Sequence, residues 1–199
     1  MSQYFSNDKN IKNEDISLNY TFKGKELHFI SNAGIFSKNR IDFGTNLLLN
    51  SIELKGNRIL DLGCGYGIVG VSVASANNKY NVLSVDVNER AVEITNQNYK
   101  NNSIRNGKAI VNNAYRTLKE KFDMIITNPP IRAGKEVVYE MVLGGINHLN
   151  DEGEIWVVIR KDKGGLSLFK QMEEVYKNVQ IINKKSGYLI IKGVNLKIK

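Results

Sequence analysis

The chain has 199 residues, 42% hydrophobic and 24% charged, with a formal net charge of +8, one cysteine and two prolines. That size and mix suit one globular domain with a full core, and no run of about 18 apolar residues is present to form a transmembrane helix. The polar start "MSQYFSNDKNIKNEDISLNY" lacks the apolar centre of a signal peptide, and Cys64 has no partner for an internal disulfide, so a reducing, cytoplasmic setting is expected. The basic excess is one-sided: residues 1–100 carry 11 Lys+Arg against 10 Asp+Glu, and residues 101–199 carry 17 against 10. A basic half of this kind points to a polyanionic partner, nucleic acid first, or else to lysine-rich solvated faces.

Residues 1–20 read as loosely ordered. "YTFKGKELHFISNAGIFS" then alternates apolar and polar residues around Lys23-Gly24-Lys25, the pattern of a β-hairpin. "RIDFGTNLLLNSIEL" reads as a loop running into a short helix with Thr45 as its N-cap. From Arg58 onward strands and helices alternate. "RILDLG", "NVLSVDV", "KAIVNN", "FDMIITN" and "GEIWVVIRK" are strands, and "FDMIITN" is apolar enough to be covered on both faces. "YGIVGVSVASA", "ERAVEITNQNYKNN" with Asn88 as N-cap, "GKEVVYEMVLGGINHL" and the amphipathic "LSLFKQMEEVYK" are helices. "VQIINKKSGYLIIKG" closes the chain as a hairpin turning around Lys185-Ser186-Gly187. The order predicts an α/β fold: a doubly wound, seven-stranded, mostly parallel sheet with a terminal antiparallel hairpin and a small N-terminal hairpin extension.

"DLGCGYGIVG", residues 61 to 70, lies between the first parallel strand and its helix. It contains G-x-G-x-x-G at Gly65, Gly67 and Gly70 and G-x-G-x-G at Gly63, Gly65 and Gly67, so glycine spacing alone does not choose between a nicotinamide dinucleotide and S-adenosylmethionine. Asp86, ending the second parallel strand, suits the ribose hydroxyls of either. Asp61 favours S-adenosylmethionine, because a carboxylate just before the loop would repel a pyrophosphate seated on the helix N-terminus. Cys64 reads as a small loop filler, with no histidine near it in sequence.

Both prolines, Pro129 and Pro130, follow Asn128 at the end of "FDMIITN". The carboxyl ends of strands in an open α/β sheet face one crevice, so this tripeptide and the glycine loop should share it. The Asn128 side-chain oxygen and the Pro129 carbonyl could both accept from an exocyclic amine. They would concentrate its delocalised lone pair and stabilise the charge that develops as a methyl arrives. A Pro-Pro pair makes that scaffold stiff.

The stretches "GIFSKNRIDFGTNLLL", "ILDLGCGYGIVGV", "SVDVNERAVE" and "FDMIITNPPIRAGKEV" resemble class I S-adenosylmethionine-dependent methyltransferases of the methyltransferase small domain family, which includes bacterial 16S rRNA guanine-N2 methyltransferases. The resemblance runs from about Tyr20 to Gly193. It implies S-adenosylmethionine as cofactor, held by Asp61, Gly63, Cys64, Gly65, Gly67, Asp86, Val87, Asn113, Ala114 and Asn128, with Phe36, Asp42, Gly44 and Thr45 closing over it. Asn128, Pro129 and Pro130 would receive the target base. Residues 1–50 would then form the hairpin and covering segment, and residues 51–199 the methyltransferase domain, within one compact unit. Many amine methyltransferases have an aromatic residue after the second proline; here it is Ile131, so stacking on the base would be weaker or would come from Phe36 or Arg132.

Ile131 is expected at the substrate site, and Arg132, Lys135, Arg160, Lys161 and Lys163 on its rim, where the basic residues would touch RNA phosphates. No metal, no membrane and no particular oligomeric state are implied. His28 and His148 lack metal spacing, Trp156 reads as core, and Tyr66 either packs on the ligand or shields the turn. The expected activity is methylation of a guanine N2 amine in small-subunit ribosomal RNA. Rivals are an adenine-N6 or protein-glutamine methyltransferase, an NAD(P)-dependent oxidoreductase and a non-catalytic RNA-binding factor.

Overall fold

In the computed structural model residues 15–32 and 41–195 are described. Strands β1 (Asp15–Phe22) and β2 (Lys25–Asn32) pair antiparallel across Lys23 and Gly24, whose φ values are 48° and 78°. Positive φ at both central residues is the turn that follows the natural twist of two strands. Pairing begins at Asp15, within the stretch whose composition reads as loose. The reason is that Ile16, Leu18 and Tyr20 alternate with polar residues and lay one side of β1 against the core.

Helix α1 (Phe43–Ser51) is capped by Asp42 and not by Thr45. The two Asp42 oxygens take the Gly44 and Thr45 N–H groups, each at 2.9 Å, and a carboxylate at this end is also favoured by the helix dipole. Then follow β3 (Arg58–Leu62), α2 (Ile68–Ala76), β4 (Asn81–Asp86), α3 (Glu89–Asn101), β5 (Gly107–Val111), β6 (Phe122–Thr127), α4 (Lys135–Leu143), β7 (Leu149–Arg160), α5 (Gly165–Val175), β8 (Asn178–Lys185) and β9 (Tyr188–Val194). Asn88 caps α3 as expected. Helix α4 is shorter than its sequence suggests. Gly144-Gly145 tightens the chain into a 3₁₀ turn through His148, and β7 starts at Leu149.

The seven-stranded sheet has the order β5-β4-β3-β6-β7-β9-β8. Strands β3 to β7 are mutually parallel, and β9 runs antiparallel between β7 and β8. This is the doubly wound fold expected, and its order reverses between β3 and β6. Alternation sorts the core: Ile59, Met124, Ile126, Trp156 and Val158 face α1, α2 and α3, whereas Leu60, Ile125, Ile155, Val157 and Ile159 face α4 and α5.

Helix α2 has no polar face, and Ile68 through Ser75 are all buried. Such a helix needs cover on every side. The sheet supplies one side, and the N-terminal hairpin supplies another through Phe22, Leu27 and Phe29. Two asparagines four residues apart, Asn98 near the end of α3 and Asn102 at its C-cap, fasten that hairpin. Asn98 accepts from Ile30 N–H and donates to the Ile30 carbonyl, both at 2.8 Å. Asn102 makes the same pair with His28, at 2.8 and 2.7 Å. Alternate strand residues and i, i+4 helix residues have similar spacing, so two side-chain amides act as a short substitute strand.

Candidate active site

Strand register sets the site. Leu62 of β3 pairs with Thr127 of β6, and Thr127 Oγ1 donates to the Leu62 carbonyl at 2.8 Å. The glycine loop and Asn128 therefore leave neighbouring strands at the same height, where the strand order reverses.

The loop is folded by its own backbone. Gly63, Gly65 and Gly67 have φ of 76°, 57° and 86°. Gly63 and Cys64 N–H groups donate to the Val85 carbonyl at 2.8 and 3.0 Å. The two Asp86 oxygens accept from Gly65 N–H (2.9 Å) and Asn88 N–H (3.0 Å), which ties the loop to the end of β4. Burial raises the Asp86 pKa, and these N–H groups oppose the rise. At Gly65 nothing lies within 4 Å of where a Cβ would stand, so a ligand can approach the backbone there.

Asp61 sits beneath the loop rather than in the cavity. It is 2% exposed, and its Oδ2 accepts from Gly70 N–H (2.9 Å) and Ser84 Oγ (3.3 Å). Burial pushes its pKa up to about 7. Gly70 is the third residue of α2, so a carboxylate of the chain already fills the anion-attracting end of that helix. Cys64 is a buried filler beside Thr95, and burial raises its thiol pKa, away from nucleophile behaviour. Tyr66 shields the turn, with its ring packed edge-on against Phe29 at 6.0 Å.

A cavity of about 170 Å³ opens beside the loop. Gly63, Asp86, Val87, Asn113 and Ala114, all expected from sequence, line it together with Leu62, Val85, Asn112 and Pro130. Asn112 braces its segment, donating to the Ala114 carbonyl at 3.1 Å and accepting from Thr117 Oγ1 at 2.9 Å. Sequence reasoning missed the far wall, Val137, Glu140 and Met141 of α4. Their i, i+3, i+4 spacing was a usable signal, since it places them on one helix face. The lining carries two carboxylates and no lysine or arginine. That suits a ligand bearing a sulfonium and an ammonium and disfavours a pyrophosphate. Among the described residues, no group of three His, Cys, Asp or Glu side chains could hold a metal.

Asn128 is held by a small network. Its Nδ2 donates to Asp42 Oδ2 (3.1 Å) and to Thr45 Oγ1 (2.9 Å), and the Thr45 hydroxyl donates to Asp42 Oδ2. An ionised carboxylate only accepts, so the amide nitrogen must face it and the Asn128 oxygen must face away. That oxygen has no hydrogen-bond partner among the described residues. Thus Asp42 and Thr45, expected to cover a cofactor, are placed as the clamp on Asn128, and Gly44 packs against the Tyr188 ring. Pro129 is buried, and Pro130 opens a 3₁₀ turn over Ile131–Ala133.

The rim residues differ in how free they are. Arg132 and Lys161 are exposed, whereas Lys135 lies over the Tyr139 ring at 4.9 Å. Arg160 is gripped by Asp162 through two bonds of 2.8 and 3.0 Å. Phe36 lies outside the described residues. Trp156 is core, its indole N–H donating to Glu154 at 2.9 Å; His148 stacks on Tyr115, and His28 is exposed.

A model of the methyltransferase small domain matches residues 26–192. The chain belongs to the methyltransferase small domain family. The nicotinamide alternative is thereby set aside. This methyltransferase is 40% identical over 195 residues to "Uncharacterized protein YbxB" of Bacillus subtilis, with 96% of each chain aligned. It is 29% identical over 167 residues to ribosomal RNA small subunit methyltransferase C of Cronobacter sakazakii, covering 81% of this chain and 47% of that one. With the Escherichia coli protein of the same name the identity is 34% over 131 residues, covering 63% and 38%. The chain thus spans less than half the length of those two relatives.

Among solved structures it superposes on "T. Thermophilus 16S rRNA N2 G1207 methyltransferase (RsmC) in complex with AdoMet and Guanosine" with a TM-score of 0.81 at 23% identity, covering 91% of this chain and 50% of that one. It also superposes on a ribosomal protein L11 methylase from Lactobacillus delbrueckii subsp. bulgaricus with a TM-score of 0.65 at 18% identity, covering 79% and 85%. The fold is that of S-adenosylmethionine-dependent methyltransferases. It serves RNA in one neighbour and a protein in the other, so the acceptor has to be argued from the site.

Proposed function

We propose that this methyltransferase uses S-adenosylmethionine to methylate the exocyclic N2 amine of a guanine in small-subunit ribosomal RNA, in the cytoplasm. One observation carries the reading. The Asn128 amide is pinned through its NH2 by Asp42 and Thr45, which leaves its oxygen unpaired among the described residues, two positions before Pro130 of the cavity wall.

Bound S-adenosylmethionine supplies a methyl carbon made electrophilic by a sulfonium. The chain's residues do the rest. Asp86 keeps lone pairs for ribose hydroxyls beyond the two N–H groups it accepts. Gly63, Val87 and the Asn112–Ala114 segment form the slot beside it, and the carboxylates of Asp86 and Glu140 favour positive charge. The Asn128 oxygen and the Pro129 carbonyl accept the two hydrogens of the acceptor amine. They hold its lone pair in line and stabilise the charge that grows on nitrogen. An N-protonated aryl amine is acidic enough to lose its proton to water, so no strong base is needed.

Similarity to the methyltransferase C proteins supports an RNA acceptor, and Ile131 in place of an aromatic residue supports guanine over adenine or glutamine. The test is incubation with methyl-labelled S-adenosylmethionine and small ribosomal subunits from cells lacking this protein, followed by nucleoside analysis. Label in N2-methylguanosine is expected. Label in N6-methyladenosine or in protein would replace the acceptor, and an unlabelled product pool would sink the reading, leaving a non-catalytic role.

A further inference from the structure

We propose that Phe43 and Tyr188, backed by Arg160, form a stacking platform for a nucleobase flanking the one presented to Asn128. The inference rests on the RNA reading above and adds a binding site to it. Phe43 is a large aromatic side chain left 41% exposed at the first position of α1. A lone exposed ring would mean little. This one is not alone: its ring lies 5.6 Å from that of Tyr188, tilted by 42°, and the Arg160 guanidinium lies 5.5 Å from the Tyr188 centroid.

Each member is fixed in place. Asp162 grips the guanidinium through two bonds, so Arg160 offers a fixed plane more than a free charge. Tyr188 rests on Gly44, where a Cβ would stand 2.7 Å from the ring; glycine is what lets the ring settle onto the helix. Gly44 N–H bonds Asp42, and Asp42 bonds Asn128, so platform and acceptor pair belong to one connected structure.

Helix geometry says which base the platform holds. Successive residues turn by about 100°, so Phe43 points to the side of α1 opposite Thr45, which contacts Asn128. Phe43 therefore cannot stack on the base at Asn128 and is placed for its neighbour. Lys161 and Lys163 in the turn after β7, and Lys184 and Lys185 at the end of β8, lie around the platform, where register pairs Tyr188 with both Arg160 and Lys185. Flat aromatic faces inside a ring of cations suit single-stranded RNA, because every base has a π-face and every link a phosphate.

The test uses a mixed-sequence single-stranded RNA oligonucleotide carrying one 2-aminopurine. Phe43→Ala should weaken binding by roughly 5- to 150-fold at fixed salt and abolish the 2-aminopurine quench. The slope of log Kd against log salt should stay unchanged, because no cation is removed, and Phe43→Trp should restore affinity and quench. If Phe43→Ala and Tyr188→Leu both bind and quench like the wild type, the platform is overturned while the methylation assay still stands. If the wild-type chain neither binds nor methylates RNA, the proposed function fails and the platform fails with it.

Discussion

In the proposed reaction Asn128 would act as an acceptor because Asp42 and Thr45 decide which way its amide faces. Removing the side chain in Asn128→Ala should lower kcat by roughly 10²- to 10³-fold, the usual cost of losing one oriented group at a developing charge. S-adenosylmethionine affinity should hardly move. Thr45→Val keeps the backbone cap of α1 but loses the hydroxyl that receives Asn128, so kcat should fall about five- to tenfold with the cofactor Kd unchanged. A matched loss of cofactor binding in both variants, read by calorimetry, would place Asn128 in the cofactor pocket instead. Asp61 makes a different prediction. Its folded pKa, up to about 7, stands above its ordinary 3.8, so the folded chain binds more protons across that window. Asp61's contribution to stability is therefore fully present below about pH 4 and is lost as pH rises through 7, by a few kcal/mol at most. Asp61→Asn cannot titrate. Its melting temperature relative to wild type should rise between pH 5 and pH 8, and a constant offset would refute the assignment.

At the level of elements, the asparagine clasp explains why an N-terminal hairpin can belong to the same core as the sheet. Asn98 serves Ile30 N–H, the Ile30 carbonyl and the Tyr66 carbonyl, the last at 2.8 Å, and it is fully buried. Asn98→Ala would leave those backbone groups unpaired, at a cost of about 2–4 kcal/mol. Hydrogen exchange should rise across β1 and β2 before it rises in β3 or β6, and uniform acceleration would mean the hairpin has no separate opening. This clasp was not legible in the sequence. "NQNYKNN" reads as a solvated polar helix end, and only the docked strand reveals that two of its amides substitute for a backbone. Alternating and 3.6-residue patterns did locate the strands and helices, because burial on one face dictates them. Helix ends were less legible: a capping carboxylate at Asp42 and a threonine three residues on both look like caps, and only the contact with Asn128 shows what the threonine is for. In the same way, motif logic found the loop and strand-end residues of the cavity but not its α4 wall, whose residues carry no motif.

For the whole molecule, part of the basic excess gathers at the carboxyl edge of the sheet: Arg132 and Lys135 follow β6, Arg160, Lys161 and Lys163 end or follow β7, and Lys184 and Lys185 end β8. Binding to an RNA strand should weaken steeply with salt. Arg132→Ala with Lys135→Ala should flatten that dependence by about 1.4 in log–log slope if each meets one phosphate of a single strand. An unchanged slope would move the phosphate path to the β8–β9 turn. This outcome reads differently from the loss of stacking at Phe43, which lowers affinity and leaves the slope alone.

The pairing of Leu62 with Thr127 has a wider consequence. Under the proposed mechanism it makes the reaction geometry a matter of sheet phase. Deleting one residue within Phe122–Thr127 would swing the side chains on one side of the deletion to the opposite layer, burying what should be covered elsewhere. Deleting two would restore the layers yet draw the reactive tip back by about 6.6 Å. A chain with an intact interior would then be chemically mute, so this strand's length is under a constraint that core stability alone would never impose.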